Sequence, residues 1–170
     1  MQGTLDQTVM SPELDQLYTA HHRTVFAAAY RVTGSAADAE DVLHTVFLRL
    51  LKKPGAIENA EGYLRRAAVN AALDVVRARR SADVDMDRMA SRGRDGLDAV
   101  KDAELRGQLR DALATLPERA AEIFVLRHFE GHPNPQIARM LGMTQIGVAV
   151  TLHRARKKLQ EELRKAGVRS

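Results

Sequence analysis

The sequence predicts an all-α protein of two small helical domains joined by a flexible linker, and three observations predict it. Apolar residues recur at helical spacing through both halves of the chain. Aromatic residues are only 4% of the 170, and Ala, Leu, Arg, Asp and Glu supply much of the rest, a mixture that favours helices over sheets. Between the halves lies a stretch, Ser81 to Ala103, that is dense in Asp and Arg, holds two glycines and shows no apolar period long enough for a core. At this length neither half can bury a large core alone, so each should be a compact bundle.

Residues 1–12 are expected to be a disordered lead-in, and residues 13–81 to form the first domain. Its first helix runs roughly from Glu13 to Val32, with Leu14, Leu17, Val25, Ala28, Ala29 and Val32 near helical spacing. Thr33-Gly34-Ser35 then breaks the chain, and Ser35 can cap a second helix. Asp38, Glu40 and Asp41 fall in the first turns of that helix, where its dipole favours negative charge, and its stripe is Val42, Val46, Phe47, Leu50 and Leu51. After the break at Lys53-Pro54-Gly55, a third helix from about Ala60 to Arg80 buries Leu64, Ala67, Ala68, Ala71 and Val75. It ends in the basic run Arg77-Ala78-Arg79-Arg80.

Residues 82–103 are expected to be the flexible linker and 104–170 the second domain. That domain opens with Leu105, Leu109, Ala112, Leu113 and Leu116, breaks at Leu116-Pro117, and resumes as a helix from Glu118 to about Phe129. Glu130 to Pro135 reads as a turn. Gln136 to Leu141 is then a short helix, Gly142 breaks it, and Thr144 can cap the next. The spacing is that of a helix-turn-helix, with Ala138 where the two helices touch and Ile137, Leu141, Met143 and Val148 as the wedge between them. Beyond Thr144 the last helix carries Arg154, Arg156, Lys157 and Lys158 beside a face that holds Leu152, Leu159 and Leu163. Its first residues suit base edges in a major groove and its later cations suit phosphates.

Charge agrees with that polarity. The net charge is +4, and the segment from Glu104 to Ser170 carries 12 basic against 7 acidic residues, or +5. Glu13 to Arg80 carries +2 and Ser81 to Ala103 carries −2. A phosphate backbone responds to local positive density, so the carboxyl end is the candidate DNA-binding end. The absence of cysteine excludes disulfides, thiolate zinc sites and thiol nucleophiles. No run approaches the roughly 18 apolar residues of a membrane span, and no basic start precedes an apolar run, so membrane insertion is not expected and a cytoplasmic location is. No Ser, His and Asp arrangement or phosphate-cradling glycine loop is present, so no catalytic residue, no cofactor and no small-molecule substrate is expected. His128 and His132 stand four apart with a Pro133 turn beside them and no third ligand, which argues against a metal. His21 and His22 are adjacent and point in different directions on a helix.

From Glu13 to Leu163 the chain resembles the extracytoplasmic-function sigma factors of RNA polymerase. The stretch Ala36-Ala37-Asp38-Ala39-Glu40-Asp41-Val42-Leu43-His44-Thr45-Val46-Phe47-Leu48-Arg49-Leu50 resembles the family's polymerase-docking helix, and Tyr63 to Asp74 resembles its minus-ten reading helix. In the second domain the resemblance rests on Leu113 to Arg119, Phe129-Glu130-Gly131, Ile137-Ala138 and His153 to Leu159. Each motif alone is weak, but their order and spacing together are specific. His44 stands where the family usually has Gln, Tyr63 where it often has Trp, and His132 to Gln136 replaces the usual polar run. Gly147, Ala149, Val150 and Thr151 stand where many members read Thr-Val-Lys-Ser-Arg, so familiar cationic base contacts are missing.

The resemblance implies a non-enzymatic subunit that binds core RNA polymerase and promoter DNA, with an anti-sigma factor as a further partner. It implies polymerase contacts at Asp38, Asp41, His44, Thr45, Leu48 and Arg49. It implies minus-ten contacts at Lys53, Asn59, Arg65, Arg66, Asn70, Arg77 and Arg80, the loop from Lys53 to Glu61 receiving a base flipped out of the strand. Minus-thirty-five contacts fall to Thr144, Gln145, Ile146, Ala149, His153, Arg154, Arg156 and Lys157. Two of these groups have a plainer reading beside the functional one. Asp38, Glu40 and Asp41 can serve simply as dipole-complementing surface acids, and Asn70 and Asp74 can pair with Arg66 and Arg77 on a solvated face. The rival functions are a helix-turn-helix regulator that acts without replacing a sigma subunit, and an adaptor whose basic tail binds acidic protein.

Overall fold

A computed structural model of the chain describes residues 11–52, 57–83 and 97–168. The described residues form seven helices: α1 (Pro12–Thr33), α2 (Ala36–Leu51), α3 (Ala60–Asp83), α4 (Leu97–Leu113), α5 (Glu118–His128), α6 (Asn134–Leu141) and α7 (Gln145–Lys165). The expectations for residues 1–10, for Lys53 and for residues 84–96 lie outside the described residues.

The caps follow from the sequence. The Ser11 side chain accepts from the Leu14 amide, so Pro12, which has no amide to satisfy, opens α1. The Ser35 hydroxyl accepts from the Asp38 amide at 3.3 Å and starts α2. Between them Gly34 takes φ +65° and donates its amide to the Tyr30 carbonyl at 2.8 Å, closing the carboxyl end of α1. A Cβ at Gly34 would collide with the Arg110 guanidinium, which lies over this corner. Gly34→Ala should therefore cost about 1–2 kcal/mol for the left-handed backbone, with little added by Arg110, whose guanidinium is the end of a flexible side chain and can swing aside. Gly107, inside α4, has open space within 4 Å of where a methyl group would sit and should behave oppositely: Gly107→Ala should gain about 0.5–1 kcal/mol. Urea unfolding of the two variants checks the pair of signs.

α1, α2 and α3 pack on one another, and α5, α6 and α7 form a second group that α4 joins through α7. The groups also touch, through α3 against α4 and α5. That double role explains the burial of α3. Beyond the anticipated Leu64, Ala68 and Ala71, it also buries Val69, Ala72, Leu73 and Val76, while Ala67 and Val75 are only partly covered.

Several boundaries differ from expectation. α1 takes in Pro12, and α3 runs to Asp83. α4 begins at Leu97, inside the segment assigned to the linker. Helix propagates backward from its packed turns at small cost even where no apolar stripe marks it. α6 starts at Asn134, two residues before the expected Gln136, because Pro135 sits in the first turn, where a missing amide costs nothing. Leu51 and Leu105, expected in the core, are 42% and 46% exposed at the edges of their stripes.

Candidate nucleic-acid interface

α6 and α7 meet at Gly142, whose φ of +62° ends α6 and whose amide donates to the Ala138 carbonyl. Ile137, Ala138 and Val148 are buried in the wedge, with Leu141 and Met143 partly covered. The Thr144 hydroxyl accepts from the Gly147 amide at 3.0 Å, which starts α7. Val148, Leu152, Ala155 and Leu159 turn inward. The opposite face is left outward, and Thr144, Gln145, Ile146, Ala149, His153, Arg154, Arg156 and Lys157 are all exposed along it.

Not all of the cations are idle. Arg156 reaches back to His128 Nε2 on α5 at 3.1–3.3 Å. Lys158, anticipated on the phosphate-binding flank, donates instead to the Thr115 carbonyl at 3.0 Å and ties α7 to the turn after α4. Partial desolvation, then Arg156 and Arg127, hold His128 below its ordinary pKa of 6.5. A folded state that binds the proton less readily than the unfolded one gains stability above the unfolded pKa and loses it as pH falls through the folded pKa. The melting temperature should thus drop on going from about pH 7.5 to about pH 5.5, and His128→Gln should drop less. Calorimetry of both proteins at the two pH values measures this.

The minus-ten candidates on and before α3 are arranged differently from a bare basic face. Asn59 caps α3, its side-chain oxygen accepting from the Gly62 amide at 3.0 Å. Arg65 pairs with Glu61 at 2.9 Å and Arg77 with Asp74 at 3.4 Å. Arg80 is half-buried near the end of the helix. Arg66 and Asn70 both donate to Glu122 Oε1 on α5, Asn70 at 3.1 Å, and Arg119 lies 3.7 Å from the other oxygen. The Asp74–Arg77 pair agrees with the solvated-face reading, whereas Asn70 and Arg66 share an acid from the second group of helices. A cleft of about 340 Å³ lined by Arg66, Asn70, Asp74, Arg77, Glu118, Arg119 and Glu122 marks the junction.

On α2, Asp41, His44, Leu48 and Arg49 are exposed and Thr45 is half-buried; Leu48, at 57%, is an apolar side chain held in water. Asp38 departs from the expectation of a surface acid. It is 8% exposed, and its carboxylate meets Arg79 of α3 at 2.6 Å, so it fastens α2 to α3.

Glu122 is the residue that motif reading missed. Its signal was present: an acid in the stripe of Ala121, Val125 and Leu126, where a buried carboxylate needs cationic or amide partners. Glu130, which accepts from Arg31 of α1 at 2.8 Å, makes a second tie between the groups.

The Sigma-70 region 2 model matches residues 17–82 and the Sigma-70, region 4 model matches residues 106–159. The RNA polymerase sigma-E factor of Streptomyces coelicolor is 31% identical over 154 residues, covering 89% of this chain and 86% of that one. The ECF RNA polymerase sigma factor SigL of Mycobacterium tuberculosis is 31% identical over 158 residues, covering 89% of each. The chain belongs to the extracytoplasmic-function sigma factors. The ECF sigma factor SigE of Mycolicibacterium smegmatis is 32% identical over 173 residues, which cover 96% of this sigma factor and 66% of that relative's length. A solved co-crystal of the sigma factor RpoE with the anti-sigma factor NepR from Bartonella quintana aligns at a TM-score of 0.49 and 19% identity, over 89% of this chain and 97% of that one. In this sigma factor, region 2 corresponds to most of α1 with α2 and α3, and region 4 runs from the middle of α4 into α7. No described helix is long and apolar enough to cross a membrane.

Proposed function

We propose that this sigma factor docks on core RNA polymerase through the exposed face of α2, grips the minus-thirty-five duplex with α7, and reads and helps open the minus-ten region with α3 and the loop before it. The observation that carries this reading is the outward face of α7, where exposed polar, apolar and then cationic side chains follow one another from Gln145 to Lys157 on a helix whose other side is locked into the core, the order that base edges followed by phosphates would call for. Asp41, His44, Thr45, Leu48 and Arg49 serve as the polymerase contacts, and Asp38 holds their helix in place from behind. Opening DNA needs no chemistry, only donors for an unstacked base and cations for the separated strand, so the chain acts as a non-enzymatic subunit. Attachment to the polymerase implies a cytoplasmic location, and an anti-sigma factor covering the docking faces is the partner proposed for the free chain.

Reconstitution tests the proposal. Core enzyme plus this chain should start transcription at a promoter selected from a random library, and Asn70→Ala should slow open-complex formation there. Tight DNA binding by the chain with no affinity for its cognate core would instead identify a helix-turn-helix regulator.

A further inference from the structure

Ile146 is 77% exposed and Val150, one turn further along α7, is 42% exposed. Single apolar residues at a surface need no explanation. Here, however, the more exposed of the two outranks every other exposed large apolar side chain among the described residues, and both lie on one stripe with Ala149, His153 and Lys157. Arg154 flanks the stripe. The outward face near the start of α7 thus carries branched hydrocarbon beside positive charge.

The largest apolar feature of the major groove is the C5-methyl of thymine; guanine and adenine edges there present donors and acceptors, and cytosine offers an amino donor and only a bare C5 hydrogen. An exposed isoleucine and valine on a groove-facing helix would strip water from guanine O6 and N7 or from the cytosine amino group without replacing its hydrogen bonds. They gain from a methyl. We infer that this sigma factor reads its minus-thirty-five element through thymine methyl groups, with Ile146 and Val150 as the specificity-determining contacts and Ala149 leaving room for the approach. The inference rests on the proposed docking of α7 in the minus-thirty-five groove and names what that site selects. Gln145, exposed just before Ile146, complements it by matching the adenine donor and acceptor pair. The two side chains are about 6 Å apart along the helix, against about 3.4 Å per base step, so the sensitive thymines should be one or two steps apart. The positive flank of the stripe favours DNA as the occupant of this apolar surface.

Deoxyuridine substitution isolates the methyl, because it removes that group and leaves every pairing and polar edge intact. Holoenzyme assembled from core polymerase and the full chain is measured on its selected promoter, with each minus-thirty-five thymine replaced in turn. One or two replacements should weaken binding roughly three- to fivefold each, the worth of one buried carbon. Ile146→Ala with Val150→Ala should lose the product of the single factors on the thymine duplex, roughly 9- to 25-fold where two thymines respond, and become indifferent to deoxyuridine. A protected minus-thirty-five region with no methyl dependence overturns this inference alone, as does methyl dependence that survives the double substitution. No protection there by an initiating or a DNA-binding chain overturns the docking of α7, and the inference with it.

Discussion

A chain carrying Arg154→Gln, Arg156→Gln and Lys157→Gln should lose much of the salt dependence of its grip on minus-thirty-five DNA. All three cations are exposed on or beside the outward face of α7. Each phosphate neutralised releases condensed counterions and adds about 0.9 to the slope of log K against log salt. Three contacts amount to a slope of about 2.7, so between about 50 and 200 mM salt the parent chain should weaken on the order of 40-fold more than the variant. Arg156 already donates to His128, and its share of that change is expected to be the smallest. Because phosphate contacts position the protein without reading sequence, the ranking of promoter variants should stay the same. Fluorescence anisotropy across a salt series gives both quantities. An unchanged slope would mean that α7 does not face a phosphate backbone.

Much of this interface was legible because local rules act over a few residues. Ser35, Gly142 and Thr144 announce helix ends through chemistry that requires no knowledge of the rest of the fold, and the structure uses all three as caps. The inward stripe of α7 was legible for the same reason. Legibility failed where a second layer of packing intervenes. α3 is covered by α1 and α2 and again by α4 and α5, so a single stripe undercounts its core and misses Val69, Leu73 and Val76. The partners of Asp38, Arg66 and Asn70 come from other helices, 41, 56 and 52 residues away in sequence. No periodicity reports such distances. The one available hint was an acid at position 122 in an apolar stripe, which demands partners without naming them.

Those partners set up the second large effect. Arg66 and Asn70, the donors proposed to meet the opened minus-ten strand, are both spent on Glu122, which is 4% exposed. If the proposed minus-ten contacts hold, DNA and Glu122 compete for the same donors, and the contact between α3 and α5 should then exclude the minus-ten complex. Glu122→Gln keeps the shape and one acceptor for Asn70 but removes the charge that holds Arg66 and Arg119. Breaking a fully buried ion pair costs about 3–5 kcal/mol. The two guanidinium side chains are 38% and 50% exposed and recover hydration, so the loss here should be about 1–2 kcal/mol, a roughly 5- to 30-fold shift toward separated helix groups. Since the chain has no cysteine, paired cysteines at exposed Ala36 and Glu161 label it cleanly for distance measurement by fluorescence transfer. The variant should show lower transfer, and the free chain should bind a minus-ten single strand more tightly by a comparable factor. That strand should also lower transfer in the parent protein, because linkage requires whatever weakens the clasp for DNA to be weakened by DNA in return. Equal transfer and equal affinity in the two proteins would reduce the Glu122 cluster to a surface contact without bearing on promoter binding.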